Sequence, residues 1–383
     1  MPSVDKRRRS TAATLEQRAM RIVFFVAGFG TAAWAPLIPF AKARAAIDEG
    51  ALGLLLLCLG VGSIVTMPLA GALAARFGCR RVVVVSALIF CLTLPLLATV
   101  SSSALLAIGL LVFGTGLGSI DVAMNIQAVI VERESGRSMM SGFHGLFSFG
   151  GIVGAACITA LLGAGASPLG ASMSVVAVIM GALAVAAPHL LPYGGKNVGP
   201  VFALPHGVVL FIGTLSFMAF LAEGAMLDWS AVFLTSVRRM ETAYAGLGYV
   251  TFSLTMTMGR LTGDGVVQRL GGTNIIVFGG LAAASGFALA ALVPYWPMTL
   301  LGYALVGVGC ANIVPVLYTS VGRQNAMPEY LAVPAITTLG YAGILAGPAA
   351  IGFVAHTASL SAAFMILALL ELGVAVSGRF LRV

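Results

Sequence analysis

The chain is 383 residues long, 59% of them hydrophobic and only 9% charged. Soluble domains carry about a quarter charged residues, so no water-soluble fold of this length covers so much apolar surface with so few charges. A formal net charge of +8 would point to nucleic acid in a soluble chain. Here the basic residues fall between apolar runs, and no nucleic-acid partner is expected.

Crossing the hydrocarbon takes about 20 mostly apolar residues, and backbone polar groups in lipid must be satisfied within the segment, which makes such runs helices. In chain order the predicted spans are 20–40, 51–75, 82–100, 104–130, 139–163, 169–191, 206–227, 243–267, 273–293, 298–321, 331–356 and 360–380. They use nearly the whole chain and leave no room for a soluble catalytic domain of about 100 residues. Lys6, Arg7, Arg8 and Arg9 before the first run superficially resemble a signal peptide, with Ala43 and Ala45 as a cleavage pattern. That run is too long for a signal core and more spans follow, so it is expected to be a retained membrane helix.

Orientation follows from the distribution of Lys and Arg. With the N-terminus in the cytoplasm, 17 basic residues flank cytoplasmic ends and 4 (Lys42, Arg44, Arg238, Arg239) flank the other side. The asymmetry favours an even number of spans with both termini inside. The chain also repeats itself. Arg76-Phe77-Gly78 matches Arg269-Leu270-Gly271 at an offset of 193, and Gly150 and Gly154 match Gly343 and Gly347 at the same offset. Gly116 to Asp121 matches Gly307 to Asn312 at an offset of 191, which makes Asn312 the expected counterpart of Asp121.

The expected fold class is therefore an all-α membrane protein, twelve transmembrane helices in two pseudo-symmetric six-helix bundles. The divisions are a basic tail 1–17, a first bundle 18–191, a linker 192–204 and a second bundle 205–383. Paired repeats with a site near the midplane are the architecture of alternating-access carriers.

The five Cys are scattered singly, without metal spacing or a disulfide framework. Neither a P-loop nor a GxSxG elbow is present. No cofactor or metal is expected, and the chain is not read as an enzyme.

The loop Gly71-Ala72-Leu73-Ala74-Ala75-Arg76-Phe77-Gly78-Cys79-Arg80-Arg81 resembles the signature loop of the major facilitator superfamily. The segments Asp121–Asn125, Ser141–His144, Glu223–Ser230 and Gly259–Asp264 resemble its MosC-like and YbjJ-like branch and, more remotely, fucose permease. The resemblance implies uptake or efflux of a small polar, sugar-like solute through the inner (plasma) membrane of a bacterial cell, by a chain that functions as a monomer. It also implies a central cavity lined by the first, fourth, seventh and tenth helices. One departure stands out: Ala75 occupies the place of the usual acidic residue. The latch that this loop forms in the family is then weakened, or carried by Glu132 and Glu134 at the end of the fourth span.

Ionisable residues within membrane spans are costly and mark function by default. Asp121 and Asn125 share a face of the fourth span, one turn apart. Together with Trp34, Glu223 and Asn312 they are the expected solute-binding set. Asp121, Glu223 and His144 are the expected proton-coupling groups, because a carboxylate desolvated in a membrane cavity favours its neutral form and exchanges protons. Gating is expected of Arg76, Glu132, Arg260 and Asp264, the last two as an ion pair spaced one helical turn apart. Asp228 and Trp229 are placed at an outer cavity, and Glu371 is read as isolated, in local packing or a solvated groove. Two other readings fit the same fold: a proton-driven exporter of drugs or metabolites, and a non-transporting membrane sensor or assembly protein.

Overall fold

The computed structural model describes residues 2–47, 49–194, 204–241 and 247–381, and all regular structure among them is helical. Most of the expected linker 192–204 lies outside the described residues. The helices are α1 (Pro2–Ala32), α2 (Ile38–Ala45), α3 (Glu49–Phe77), α4 (Cys79–Leu97), α5 (Ser103–Ser135), α6 (Met140–Gly163) and α7 (Pro168–Ala186). They continue as α8 (Gly207–Val232), α9 (Leu247–Leu270), α10 (Gly272–Leu292), α11 (Trp296–Cys310), α12 (Ile313–Val321), α13 (Glu329–Thr357) and α14 (Leu360–Ser377). Among the described residues, 11 helical stretches are long and apolar enough to cross a membrane. The remaining long helix, α9, carries Arg260, Asp264 and Arg269, which lower its apolar character.

Two predicted spans are interrupted. After Ala32 the first passes through a 3-10 turn at Ala35–Leu37 before α2 resumes, where Pro36 and Pro39 deny the helix its N–H donors. The tenth, predicted as continuous, breaks at Ala311–Asn312 between α11 and α12. Its cause is Pro315, which has no N–H to return to the Ala311 carbonyl four residues earlier.

The chain forms two compact units. The first comprises Met1–Ser135, Leu146–Leu204 and Pro328–Pro334; the second comprises Gly136–Gly145, Pro205–Met327 and Ala335–Val383. The start of α6 thus belongs to the second unit and the start of α13 to the first.

The same construction is used in both units, at small residues that admit a neighbouring backbone. In the first, Gly114 on α5 lies against the Leu59 carbonyl of α3, and Gly116 lies against Ser86 of α4. In the second, Gly307 on α11 lies against the Phe252 carbonyl of α9, and Gly309 lies against Gly279 of α10. All four pairs of equivalent positions differ by 193. The register of the fourth and tenth spans is therefore 193 and not the expected 191, so Asn312 corresponds to Ser119, and Asp121 corresponds to Val314.

Loops repeat as well. Gly78 and Gly271 precede α4 and α10 with φ of 87° and 77° and ψ of 151° and 152°, backbone that only glycine adopts without strain. Ser167 and Ser359 cap α7 and α14 by accepting from the backbone N–H of Gly170 and Ala362, each at 3.1 Å. Arg44 donates to the carbonyls of Leu97, the last residue of α4, and of Val100 just after it, at 2.7 and 2.8 Å. Arg238 donates to the Ala290 and Ala291 carbonyls at the end of α10 and stacks on Phe233. Both guanidiniums satisfy carbonyls that the helix leaves open and complement its negative end. Two of the four basic residues on the minority side of the charge count are thus helix caps.

Candidate functional site

The second unit holds a buried charged cluster. Arg260, on α9, donates from Nη2 to Glu223 Oε1 on α8 at 2.8 Å, with side chains 7% and 13% exposed. Its Nε donates to the Ala311 carbonyl at 3.2 Å, the acceptor that Pro315 leaves open. The break in the tenth span therefore supplies half of the guanidinium's setting. Next in the break, Asn312 donates from Nδ2 to the Gly259 carbonyl at 3.1 Å, while its buried Oδ1 has no hydrogen-bond partner. Gly263, without a side chain, leaves the space that the Asn312 amide fills.

His144 lies within the electrostatic field of Arg260, its ring 5.5 Å from that of Tyr318. The Tyr318 hydroxyl and Thr337 Oγ1 share a hydrogen bond of 2.7 Å. Glu371 on α14 is fully buried, neither carboxyl oxygen has a hydrogen-bond partner, and Glu223 acts on it electrostatically. Cys310, also fully buried, lies in the field of Glu371, Glu223 and Arg260.

The first unit holds a smaller polar group on α5. Asp121, 8% exposed, accepts from Asn125 Nδ2 at 3.3 Å, and the same amide donates to the Asp121 carbonyl at 2.8 Å. Gln127, fully buried two residues on, leaves both amide atoms without a partner. Trp34, 4% exposed at the break in the first span, has a buried indole N–H without an acceptor.

Two expectations are corrected, the partner of Arg260 and the isolation of Glu371. Arg260 and Asp264 are not a pair. Arg260 is deep and takes the equally deep Glu223, whereas Asp264, one turn further along α9, accepts from the Gly142 N–H at 3.0 Å. There its charge faces the first turn of α6, whose N–H groups lack partners within the helix. Arg76 is exposed, and its guanidinium lies 5.2 Å over the Phe77 ring. Arg133, next in sequence to the buried Glu132, makes an ion pair with Glu329 at the start of α13, within the first unit. Glu371 is not isolated but belongs to the charged cluster.

Asp228 is exposed near the end of α8, and Trp229 packs its ring on Gly352 with its buried N–H unpartnered. Reading the sequence missed Gln127 and the setting of Arg260. Pro315 was the available signal for the latter, since it frees one known carbonyl.

Membrane-length helices, glycine-mediated packing repeated in two units and buried charge within the spans define a multi-pass membrane carrier. Residues 21–330 match the family model of the Major Facilitator Superfamily, and the chain belongs to that family. It is 54% identical over 365 residues to an uncharacterized MFS-type transporter of Yersinia pestis, covering 95% of each chain. It is 32% identical over 352 residues to the membrane protein MosC of Rhizobium meliloti, covering 91% of this chain and 85% of that one. In fold it resembles the E. coli fucose:proton symporter with a TM-score of 0.81 at 15% identity, covering 96% of this chain and 99% of that one.

Proposed function

We propose that this protein is a proton-coupled secondary transporter of a small polar, sugar-like solute, working by alternating access in the bacterial inner membrane with both termini in the cytoplasm. The observation that carries this reading is a carboxylate inside a helix of membrane-spanning length in each unit: Asp121, buried on α5, and Glu223, 13% exposed on α8. Family membership supplies the carrier class, and the fucose:proton symporter and a proton:xylose symporter share the fold.

In this reading Asp121 binds a proton and Asn125 tunes it through the hydrogen bond described above. Glu223 binds a second position of the coupling machinery, held by Arg260. The Asn312 Oδ1 and the Trp34 N–H, both buried and unpartnered, are an acceptor and a donor matched to hydroxyl groups of the solute. The exposed end of α8 at Asp228 and Trp229 belongs to the outer side. Arg133 with Glu329, and Asp264 with Gly142, tie down the cytoplasmic ends of α5, α13, α9 and α6.

The test begins with a thermal-shift screen of purified protein against sugars, polyols and amino sugars, since ligand binding raises apparent stability by mass action. A stabilising compound is then taken into proteoliposomes with an imposed pH gradient. Gradient-driven accumulation is expected for the parent protein and its loss for Asp121→Asn and Glu223→Gln. Full accumulation in both variants overturns the assignment.

A further inference from the structure

Glu371 stands on the last helix, among apolar neighbours, at a position where the fold itself requires no carboxyl group. The duplication shows this directly. Ser167 and Ser359 cap equivalent helices at an offset of 192, which sets Ile179 of α7 as the counterpart of Glu371. Ile179 is 1% exposed and Glu371 0%, so an apolar side chain packs at this place in one copy while the other copy retains a group that water would hold far better.

Charge balance then restricts the cluster. Glu223 and Glu371 are two carboxyl groups, and Arg260 is the one guanidinium whose field reaches Cys310 together with both. Glu223 from α8 acts on Glu371 directly, and Cys310 from α11 lies in the field of Glu371, Glu223 and Arg260 from α9. Helix α10, which packs along α14, contains no titratable residue, and neither does the turn Phe233–Val237. Arg379, two turns along the chain, is exposed. Two ionised carboxylates with one cation in a low-dielectric interior leave one charge uncompensated. One proton removes the excess, and Glu371, lacking any hydrogen-bond donor, is where it resides while Arg260 holds Glu223.

We infer that Glu371 is a proton-binding residue of this carrier, sharing one exchangeable proton with Glu223, while Arg260 pairs with whichever carboxylate is ionised. The exchange is balanced: the proton leaves a Glu371 oxygen for a Glu223 oxygen as the guanidinium moves from Glu223 to Glu371. This deepens the proton-coupled reading above and rests on it for its role in transport.

The test uses the full-length protein in lipid with Asp121→Asn as background, which removes one of the two buried carboxyl groups of α5 and leaves the other, Glu132, the same in every variant. The infrared C=O stretch of neutral carboxyl groups is followed as pH rises. A titrating signal is expected in the background protein, absent from Glu371→Gln and retained by Glu371→Asp. Glu223→Gln is expected to abolish it too, because Glu371 then ionises against Arg260. This second variant decides the matter even if Glu371→Gln does not fold. A signal that persists in either Gln variant, or that is missing from the background protein, overturns the inference. Gradient-driven accumulation, measured separately on the parent protein, decides the transport reading, so the two fail independently.

Discussion

Arg260 and Ala311 are joined by a hydrogen bond of 3.2 Å that exists because Pro315 has no N–H to compete for the same carbonyl. A helix break, an open acceptor and a buried guanidinium are thus one feature rather than three. Replacing Pro315 with Ala restores the competing donor. The expected result is a continuous tenth span, a weaker hold on Arg260 and slower transport. A net hydrogen bond to a charged group is worth about 1.5–3 kcal/mol, so the loss in Arg260 anchoring should be partly offset by the new helical bond. Transport rate and thermal midpoint, measured together, check this: a fall in rate with a nearly unchanged midpoint is expected.

The Glu223–Arg260 pair should show strong non-additivity. Removing one partner strands a buried charge at a cost of about 3–5 kcal/mol. Arg260→Met and Glu223→Gln are each expected to destabilise the protein substantially. The double variant should be more stable than the sum of the two losses implies. Unfolding in detergent with increasing denaturant gives the three values, and simple additivity would remove the pair from its assigned place.

Asp264 should behave as a helix cap through its bond from the Gly142 N–H. Asp264→Ala is expected to cost about 1 kcal/mol, the usual price of a lost cap. Asp264→Asn, which keeps an acceptor for the Gly142 N–H, should cost less. Had Asp264 served Arg260, Asn would fail as badly as Ala. Gly142→Ala is expected to be worse than Asp264→Asn, because its added methyl would strike the carboxylate itself.

The two loop glycines separate strain from crowding. Nothing lies within 4 Å of a Cβ added at Gly271, whereas one added at Gly78 meets the Pro192 backbone. Gly271→Ala should therefore show only the conformational cost, about 1–3 kcal/mol. Gly78→Ala should cost more. Equal losses would mean that the crowding at Gly78 relaxes freely.

Much of the fold was legible because lipid imposes a coarse rule: long apolar runs become helices, and their number and flanking charges follow from counting. Gly78 and Gly271 were legible for the same reason, since a turn between close-packed helices needs backbone that other residues avoid. The partner of Arg260 was not. Spacing along one helix suggested Asp264, but depth in the membrane decides which carboxylate a buried guanidinium meets, and Glu223 lies on another helix. The matching of Asp121 with Asn312 failed because runs of glycine align almost as well when slipped by two residues. Only the backbone each glycine touches fixes the register. Glu371 was underrated because its neighbours come from helices distant in sequence.

In the corrected registers, these charges of the second unit correspond to uncharged residues in the first. Glu223 corresponds to Thr31 at the offset of 192 shared by Phe25 and Phe217, Arg260 to Met67 at 193, and Glu371 to Ile179 at 192. Asp121, conversely, falls on Val314. The two copies share their glycine seams and divide their charges: each holds in its own interior groups that the other lacks. A chimera made of two first halves would inherit every glycine seam and capping serine yet contain no buried arginine at position 67 of either copy.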